Sequence, residues 1–138
     1  MENAFERVLE TITLSSLSVR SIALPPQTSR AEALSAVAGC IVRRLDVKPV
    51  QVRVALIDLD PASVMVAGQT GGAAPPWIVA WASILEGRPE ALRAAFVAEL
   101  LEVLANCYGV DENAVRVLLQ DFPSVHWGIG RAPATAKG

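Results

Sequence analysis

The sequence is poor in the residues that most often build metal and redox sites. It has one histidine, His126, and two cysteines, Cys40 and Cys107, in 138 residues. These three residues do not match the ligand spacing of a zinc site. Two isolated cysteines within apolar helical patterns are more typical of reduced core residues than of a disulfide or a nucleophilic pair. We therefore expect no metal and no cofactor.

An excess of charge and a long apolar run are also missing. The chain has 12 Lys and Arg against 14 Asp and Glu, and neither half is basic, so nucleic acid is not an expected partner. No run reaches the roughly 18 apolar residues of a membrane span, and the start lacks the basic-then-apolar order of a signal peptide. With 52% apolar residues, we expect a compact cytoplasmic protein that does not bind membranes.

A repeat with an offset of 63 residues organises the chain. Residues 50–58 (VQVRVALID) and 114–121 (AVRVLLQD) alternate apolar with other residues, which predicts strands with one buried face. A further strand is predicted before each helix, at 17–24 and 77–85. The same offset carries an apolar stripe at helical spacing from Leu34, Val37 and Ile41 onto Val97, Leu100 and Leu104. The chain is therefore predicted to be two β-α-β units in tandem within one domain.

The helix starts and lengths predict the topology. Ser29 and Glu32 form a capping-box pattern, and Pro89 suits the first position of the second helix. Each helix is long enough to return the chain across the sheet, which makes the two strands of a unit parallel. The expected fold is α+β, with a four-stranded mixed sheet and two helices on one face.

The same patterns predict the boundaries within a single domain of residues 1–138. An amino-terminal extension (1–15) contains an amphipathic stretch, and the Gly- and Pro-rich linker is predicted to contain a short strand around 64–66. After residue 122 we expect a turn into a short strand or hairpin. The segments are the extension, a first unit (16–59), a linker (60–76), a second unit (77–131) and a tail (132–138).

The strand predicted at 77–85 is apolar on both faces, with Trp77, Val79, Trp81 and Leu85 on one of them. Both faces must be covered. Because the helices can cover one face only, we expect a second copy of the protein to cover the other face.

The segments ILEGRPEALRAAF (84–96), VRV (115–117) and HWGIG (126–130) resemble the tautomerase superfamily. The second unit is most similar to the β-α-β monomer of 4-oxalocrotonate tautomerase. The two-unit layout is similar to malonate semialdehyde decarboxylase and the macrophage migration inhibitory factor group. The resemblance is specific over 77–131 and weaker over 16–72. It implies a tautomerase-like fold and a homotrimer of two-unit subunits.

The resemblance also implies a chemistry. The base of this family is an amino-terminal proline, a free secondary amine whose pKa is lowered by an apolar pocket. Arginines bind the substrate carboxylates and polarise the enolate. By resemblance, Arg88 and Arg116 correspond to substrate-binding arginines, and Trp127 corresponds to the aromatic residue that excludes water. These three residues are the candidate site for a small carboxylate.

The catalytic proline has no counterpart at the start of the first strand, which follows about fifteen other residues. Prolines inside the chain are tertiary amides, whose nitrogen lone pair is delocalised, so they cannot accept a proton near neutral pH. Further departures are Pro25 at the position equivalent to Arg88, Glu86 where the decarboxylases have a second arginine, and Gln51 where they have an acidic helper.

Several residues fit two interpretations. Arg88 fits a carboxylate ligand or a surface arginine paired with Glu86 or Glu90. Arg116 fits a pocket residue or a subunit contact, and Arg53, its repeat equivalent, is predicted to form a structural interface pair. His126 is either exposed at a turn or a replacement base, since an imidazole ordinarily titrates near pH 6.5.

Two functions follow from these patterns. In the first, the protein lacks proline-dependent tautomerase activity and at most binds a small carboxylate. In the second, it is an isomerase, hydratase or decarboxylase of small 2-keto or enol acids that uses a different base.

Overall fold

The computed structural model describes residues 15–22, 29–129 and 132–133, and the side chains of 29–128. Within these residues, two α-helices, α1 (Arg30–Leu45) and α2 (Glu90–Tyr108), accompany eight strands. The long strands are β1 (Ser15–Ile22), β2 (Val52–Leu59), β5 (Ile78–Leu85) and β6 (Val115–Phe122). The short strands are β3 (Met65–Val66), β4 (Gln69–Thr70), β7 (Gly128–Ile129) and β8 (Ala132–Pro133). Most of the predicted extension and tail lies outside the described residues.

The long strands form one mixed sheet in the order β2-β1-β5-β6. β1 is parallel to β2 and β5 is parallel to β6, while β1 and β5 pair antiparallel at the centre. This confirms the predicted tandem β-α-β sheet. The first strand begins at Ser15, where the extension of about fifteen residues was predicted to end, and Ser15 and Ser16 pair with β2 although neither is hydrophobic.

The 63-residue offset holds for every strand. It carries β1 onto β5, β2 onto β6 and the hairpin β3–β4 onto the hairpin β7–β8, and no residue is inserted or deleted. The offset also relates two ion pairs, Arg30–Asp58 and Arg93–Asp121, each of which joins the first or second turn of a helix to the outer strand of its unit. The two units therefore share their strand lengths, their hairpins and an ion pair as well as their topology.

The core lies between the helices and one face of the sheet. On β5, the four residues at alternate positions from Ile78 to Ile84 are at most 2% exposed and pack against the helices. Phe96, Leu100 and Tyr108 are the largest side chains that α2 buries there. Because side chains of this size are fully buried, α2 is part of the hydrophobic core and is not a helix that only covers the surface.

A polar cluster joins the two helices at their outer side. Glu99 of α2 accepts hydrogen bonds from Arg43 at 2.9 Å and from Arg44 at 2.7 Å, both on α1. The Sγ of Cys40, on α1, lies 3.5 Å from the Glu99 carboxylate. The two arginines lower the pKa of Glu99 to about 2, so the carboxylate is ionised under all ordinary conditions.

The other face of the sheet carries apolar side chains that the single chain leaves partly uncovered. Trp81 on β5 is 38% exposed, Leu118 beside it on β6 is 45% exposed, and Ile57 on β2 is 37% exposed. The two described helices, α1 and α2, pack against the opposite face of this sheet, as the sequence predicted. We call this side the open face.

The turns at the helix ends follow local chemistry. The Ser29 side chain accepts a hydrogen bond from the Glu32 backbone N–H at 3.1 Å, which confirms the predicted cap. Pro89 is the N-cap of α2, one residue before the position predicted for it. Gly87 has φ 116°, a conformation that an L side chain rarely adopts, so the turn between β5 and α2 depends on this glycine.

Candidate functional site

A cavity of about 340 Å³ lies where β5 and β6 end, and we call it the Trp127 cavity. Its volume is within the range of small-molecule sites. Its described lining residues are Ser83, Phe122, His126, Trp127 and Gly128.

An aromatic pair forms one wall of this cavity. The rings of Phe122 and Trp127 are 6.0 Å apart at 85°, an edge-to-face arrangement that fixes both rings. Trp127 is half-buried at the entry to β7. A rigid apolar wall of this kind excludes water from one side of a bound molecule.

His126 lines the same cavity from the turn before Trp127. Its backbone N–H donates to the carbonyl of Pro123 at 2.9 Å, which fixes this 3-10 turn, while its side chain is exposed. The sequence fits either an exposed histidine or a replacement base at this position. It is both exposed and at the cavity.

Arg88 follows the turn at the end of β5, close to the strand ends that form the cavity. The Glu86 backbone N–H donates to the carbonyl of Phe122 at 2.9 Å, which ties this turn to β6. The half-buried Arg88 guanidinium donates to the carbonyl of Leu85 at 3.1 Å, and burial lowers the pKa of Arg88. Among the described residues, neither Glu86 nor Glu90 forms an ion pair with it, so the surface-pair interpretation of Arg88 gains no support.

Arg116 lies at the opposite end of the sheet. It pairs in register with Val79 near the start of β5, and its guanidinium donates to the carbonyls of Asn113 at 2.6 Å and Val115 at 3.1 Å. Arg53 donates in the same way to Val50 and Val52, which lie 63 residues earlier. Each of these arginines therefore holds a 3-10 turn against the start of its strand.

One chain does not bring Arg88 and Arg116 together. Phe122, in register with Leu85, is six residues from Arg116, and six strand residues span roughly 20 Å. The hydrogen bonds of each guanidinium keep it at its own end of the sheet. A site that uses both arginines must take them from different chains.

Two arginines lie in VRV segments, Arg53 and Arg116. Within one chain, Arg53 is the nearer of the two to the Trp127 cavity. Ser83, which lines the cavity, pairs with Ser16, and Ser16 pairs with Arg53. Two strand spacings place the Cα atoms of Arg53 and Ser83 about 10 Å apart, against about 14 Å for Arg116 and Ser83. The sequence repeat does not reveal this proximity, because it relates residues along the chain and not across the antiparallel β1–β5 pair.

A larger cavity of about 610 Å³ lies at the Arg116 end. Pro75 and Pro76 of the linker and the adjacent Trp77 form its apolar side, and Arg116 and Asp111 provide its charges. By the 63-residue offset, Val64 is the sequence equivalent of Trp127 and Pro25 is the sequence equivalent of Arg88.

The cysteines are not part of either cavity. Both are free and buried in the core. Burial, together with the nearby Glu99, raises the pKa of Cys40 to about 12, and burial also raises the pKa of Cys107. Thiols with raised pKa values are poor nucleophiles, in agreement with the predicted structural role.

Across the described part of the chain, neither helix has the length and apolar character needed to cross a membrane.

A family model described as "Tautomerase enzyme" matches residues 83–136. The chain is 32% identical over 54 residues to a probable tautomerase of Ralstonia nicotianae, which covers 39% of this chain and 77% of that protein. It is 33% identical over 60 residues to the 2-hydroxymuconate tautomerase of Stutzerimonas stutzeri, which covers 44% of this chain and 95% of that protein.

Solved structures extend the similarity to the first unit. A wild-type fused 4-OT described as a symmetric trimer has a TM-score of 0.77 at 27% identity, covering 89% of this chain and 98% of that one. A native fused 4-OT has a TM-score of 0.74 at 29% identity, covering 86% and 95%. Both units of this chain therefore have counterparts in chains that are also fused.

Proposed function

Since the chain belongs to the tautomerase family, as a fused two-unit member, we propose that it binds a small carboxylate at the Trp127 cavity and lacks proline-dependent tautomerase activity. The observation that carries the proposal is the cavity itself, in which Trp127 and Phe122 form an apolar wall beside the turn that holds Arg88. An arginine and an aromatic wall are the groups that bind and desolvate a small organic anion.

The residue at the start of β1 supports the lack of a catalytic proline. This strand begins at Ser15, and no proline precedes Pro25 in the sequence. A proline-based mechanism requires a free secondary amine at the strand start, and trimming the chain to Ser15 exposes a serine and not a proline. The prolines farther along are amides and are not bases.

We propose that the single domain of residues 1–138 assembles as a homotrimer. The partly exposed Trp81, Leu118 and Ile57 on the open face supply an apolar contact surface. The trimer described for a similar fused 4-OT supports this assembly. Within it, a neighbouring subunit provides the Arg116 that acts with Arg88 and Trp127, because in one chain the two arginines are too far apart.

A second candidate is an active isomerase, hydratase or decarboxylase of 2-keto or enol acids. The observation that favours it is that His126 lines the Trp127 cavity. An imidazole there could take the place of the missing amine as a general base. We also propose a cytoplasmic location, since two free buried thiols fit a reducing compartment.

Binding and turnover of one set of ligands separate these functions. We expect calorimetry to detect fumarate binding that weakens by roughly 10- to 100-fold in Arg88→Gln, because hydrogen bonds to a charged partner contribute about 1.5–3 kcal/mol. Trp127→Leu should also weaken binding, because it removes the aromatic wall of the cavity.

Turnover is measured as ketonisation of 2-hydroxymuconate and of phenylenolpyruvate, which we expect to be near the uncatalysed background. Turnover comparable to that of proline-bearing relatives, abolished by Arg88→Ala, would overturn the proposal. Absence of fumarate binding would overturn the carboxylate site.

A further inference from the structure

The Trp127 cavity lies beside the point where the amino-terminal extension enters the sheet. β1 begins at Ser15, and Ser16 pairs antiparallel with Ser83, which lines the cavity. Paired Cα atoms of an antiparallel sheet are about 5 Å apart, and residue 14 is at most about 7 Å along the chain from Ser16. The rest of the extension, residues 1–14, therefore joins the described chain at the mouth of the cavity.

The cavity combines an apolar wall with a cationic rim, and its described lining residues include no carboxylate. Phe122 and Trp127 form the wall. Arg88 lies at the rim because it follows the turn after β5, which is tied to the end of β6. Arg53 lies two strands from the cavity, through its pairing with β1. Such a surface is complementary to a segment that offers both apolar side chains and carboxylates.

Residues 1–14 have this composition. The charged side chains of the segment are three glutamates and one arginine: Glu2, Glu6, Glu10 and Arg7. Its apolar residues at helical spacing are Phe5, Val8, Leu9 and Ile12. The proposed site binds a small carboxylate, so the glutamates carry the same chemical group as its ligand.

We propose that residues 1–14 dock on the Trp127 cavity of their own chain and act as a tethered competitor of the small carboxylate. This inference rests on the proposed function, because the competition takes place at the same site. The apolar residues of the segment cover the Phe122–Trp127 wall, and its glutamates pair with the arginines at the rim. A free carboxylate then binds only when it displaces the segment, so the extension sets the concentration of carboxylate to which the protein responds.

The tether determines the strength of this competition. A short flexible link holds the segment at an effective concentration in the millimolar range. If the segment is docked about nine-tenths of the time, the cavity is open about one-tenth of the time, and the apparent Kd of a free ligand rises about 10-fold. Backbone amides that docking protects then exchange hydrogen about 10-fold more slowly than in a free peptide.

Hydrogen exchange followed by mass spectrometry measures the docking in the full-length protein without any ligand. A synthetic peptide of residues 1–14 is the reference. We expect the segment to exchange about 10-fold more slowly in the protein than in the peptide. Trp127→Leu should bring the two rates together, because it removes the aromatic wall. Circular dichroism reports whether this variant keeps its helices.

A double variant, Glu6→Gln with Glu10→Gln, tests the charges without changing any residue of the described core. It should speed the exchange of residues 1–14. Each exposed ion pair changes an affinity by roughly 1.4- to 5-fold, so fumarate measured by calorimetry should bind about 2- to 10-fold more tightly. Glu90→Gln is the matched control, because it removes an exposed carboxylate close to Arg88 but outside the segment. It should leave the exchange of residues 1–14 unchanged.

Fumarate added to the unmodified protein should also speed the exchange of residues 1–14, because the ligand and the segment exclude each other. Fumarate that binds without changing this exchange refutes the competition and leaves the carboxylate site intact.

The remaining outcomes also separate this inference from the proposed function. Equal exchange in the protein and in the peptide refutes the docking alone. Slow exchange that Trp127→Leu does not change means that the segment docks elsewhere, such as on the open face, and refutes the inference as well. Absence of fumarate binding in both the unmodified protein and the double variant overturns the carboxylate site and the competition together.

Discussion

Replacing Trp81 with arginine should dissociate the proposed trimer. Trp81 is 38% exposed at the centre of the open face in the single chain. A tryptophan side chain buries up to about 250 Å², so roughly 95 Å² of Trp81 remains to be covered by a neighbour, worth about 2.4 kcal/mol. Over three subunits this is about 7 kcal/mol, or roughly five powers of ten in the trimer equilibrium constant. An arginine in a dry interface adds the cost of desolvating its charge.

Sedimentation velocity at low micromolar protein measures the assembly, and far-ultraviolet circular dichroism reports whether the separated chain keeps its helices. We expect three chains per particle for the unmodified protein and one for Trp81→Arg. Leu118→Ser, a milder change on the same face, should give a concentration-dependent mixture. Ala98→Arg is the matched control, because Ala98 is exposed on α2, away from this face.

A Trp81→Arg protein that stayed trimeric at the same concentrations would refute a trimer contact through the open face. Equal dissociation in Ala98→Arg would also refute it, because the effect would then come from added charge and not from the open face.

Two further predictions concern the helix pair. Arg43 and Arg44 hold the pKa of Glu99 at about 2, below the ordinary 4.5. The ion pairs of Glu99 therefore stabilise the fold above pH 4.5, and this stabilisation is lost as the pH falls toward 2. In thermal melts, Glu99→Gln should be less stable than the unmodified protein at pH 6 and equal to it near pH 2; a difference that stays constant with pH would contradict this. Cys40 and Cys107 should stay unmodified by iodoacetamide at pH 8 in the folded protein and react fully in guanidinium, as measured by mass spectrometry; rapid native labelling of Cys40 would contradict its burial and its raised pKa of about 12.

Much of the fold could be predicted from period and spacing. The alternation in residues 114–121 predicted β6 within one residue, and Ser29 predicted the start of α1, because both signals are local. The errors were also local. Pro89 caps α2 from outside the helix, and the hairpin β3–β4 was predicted as a single short strand because residues 69–70 carry no strand pattern.

The candidate site was harder to predict, since it depends on which strand ends meet. Arg88 and Arg116 both lie in segments that resemble the tautomerase superfamily. The parallel pairing of β5 and β6 nevertheless separates them by the length of a strand. Conversely, Arg53 and Ser83 are distant in sequence and lie two strands apart through β1. Pairing order is a long-range property that hydrophobic period does not encode.

The gap-free offset between the units has a consequence for how such a protein can diverge. If the two halves were separate identical chains, any substitution would appear in both. Joined in one gene, each half accumulates its own changes, and Pro25 against Arg88 or Val64 against Trp127 shows how far they have drifted. Because the shared framework of strands and hairpins is intact in both halves, one end of the sheet can abandon an ancestral role while the other retains or alters it.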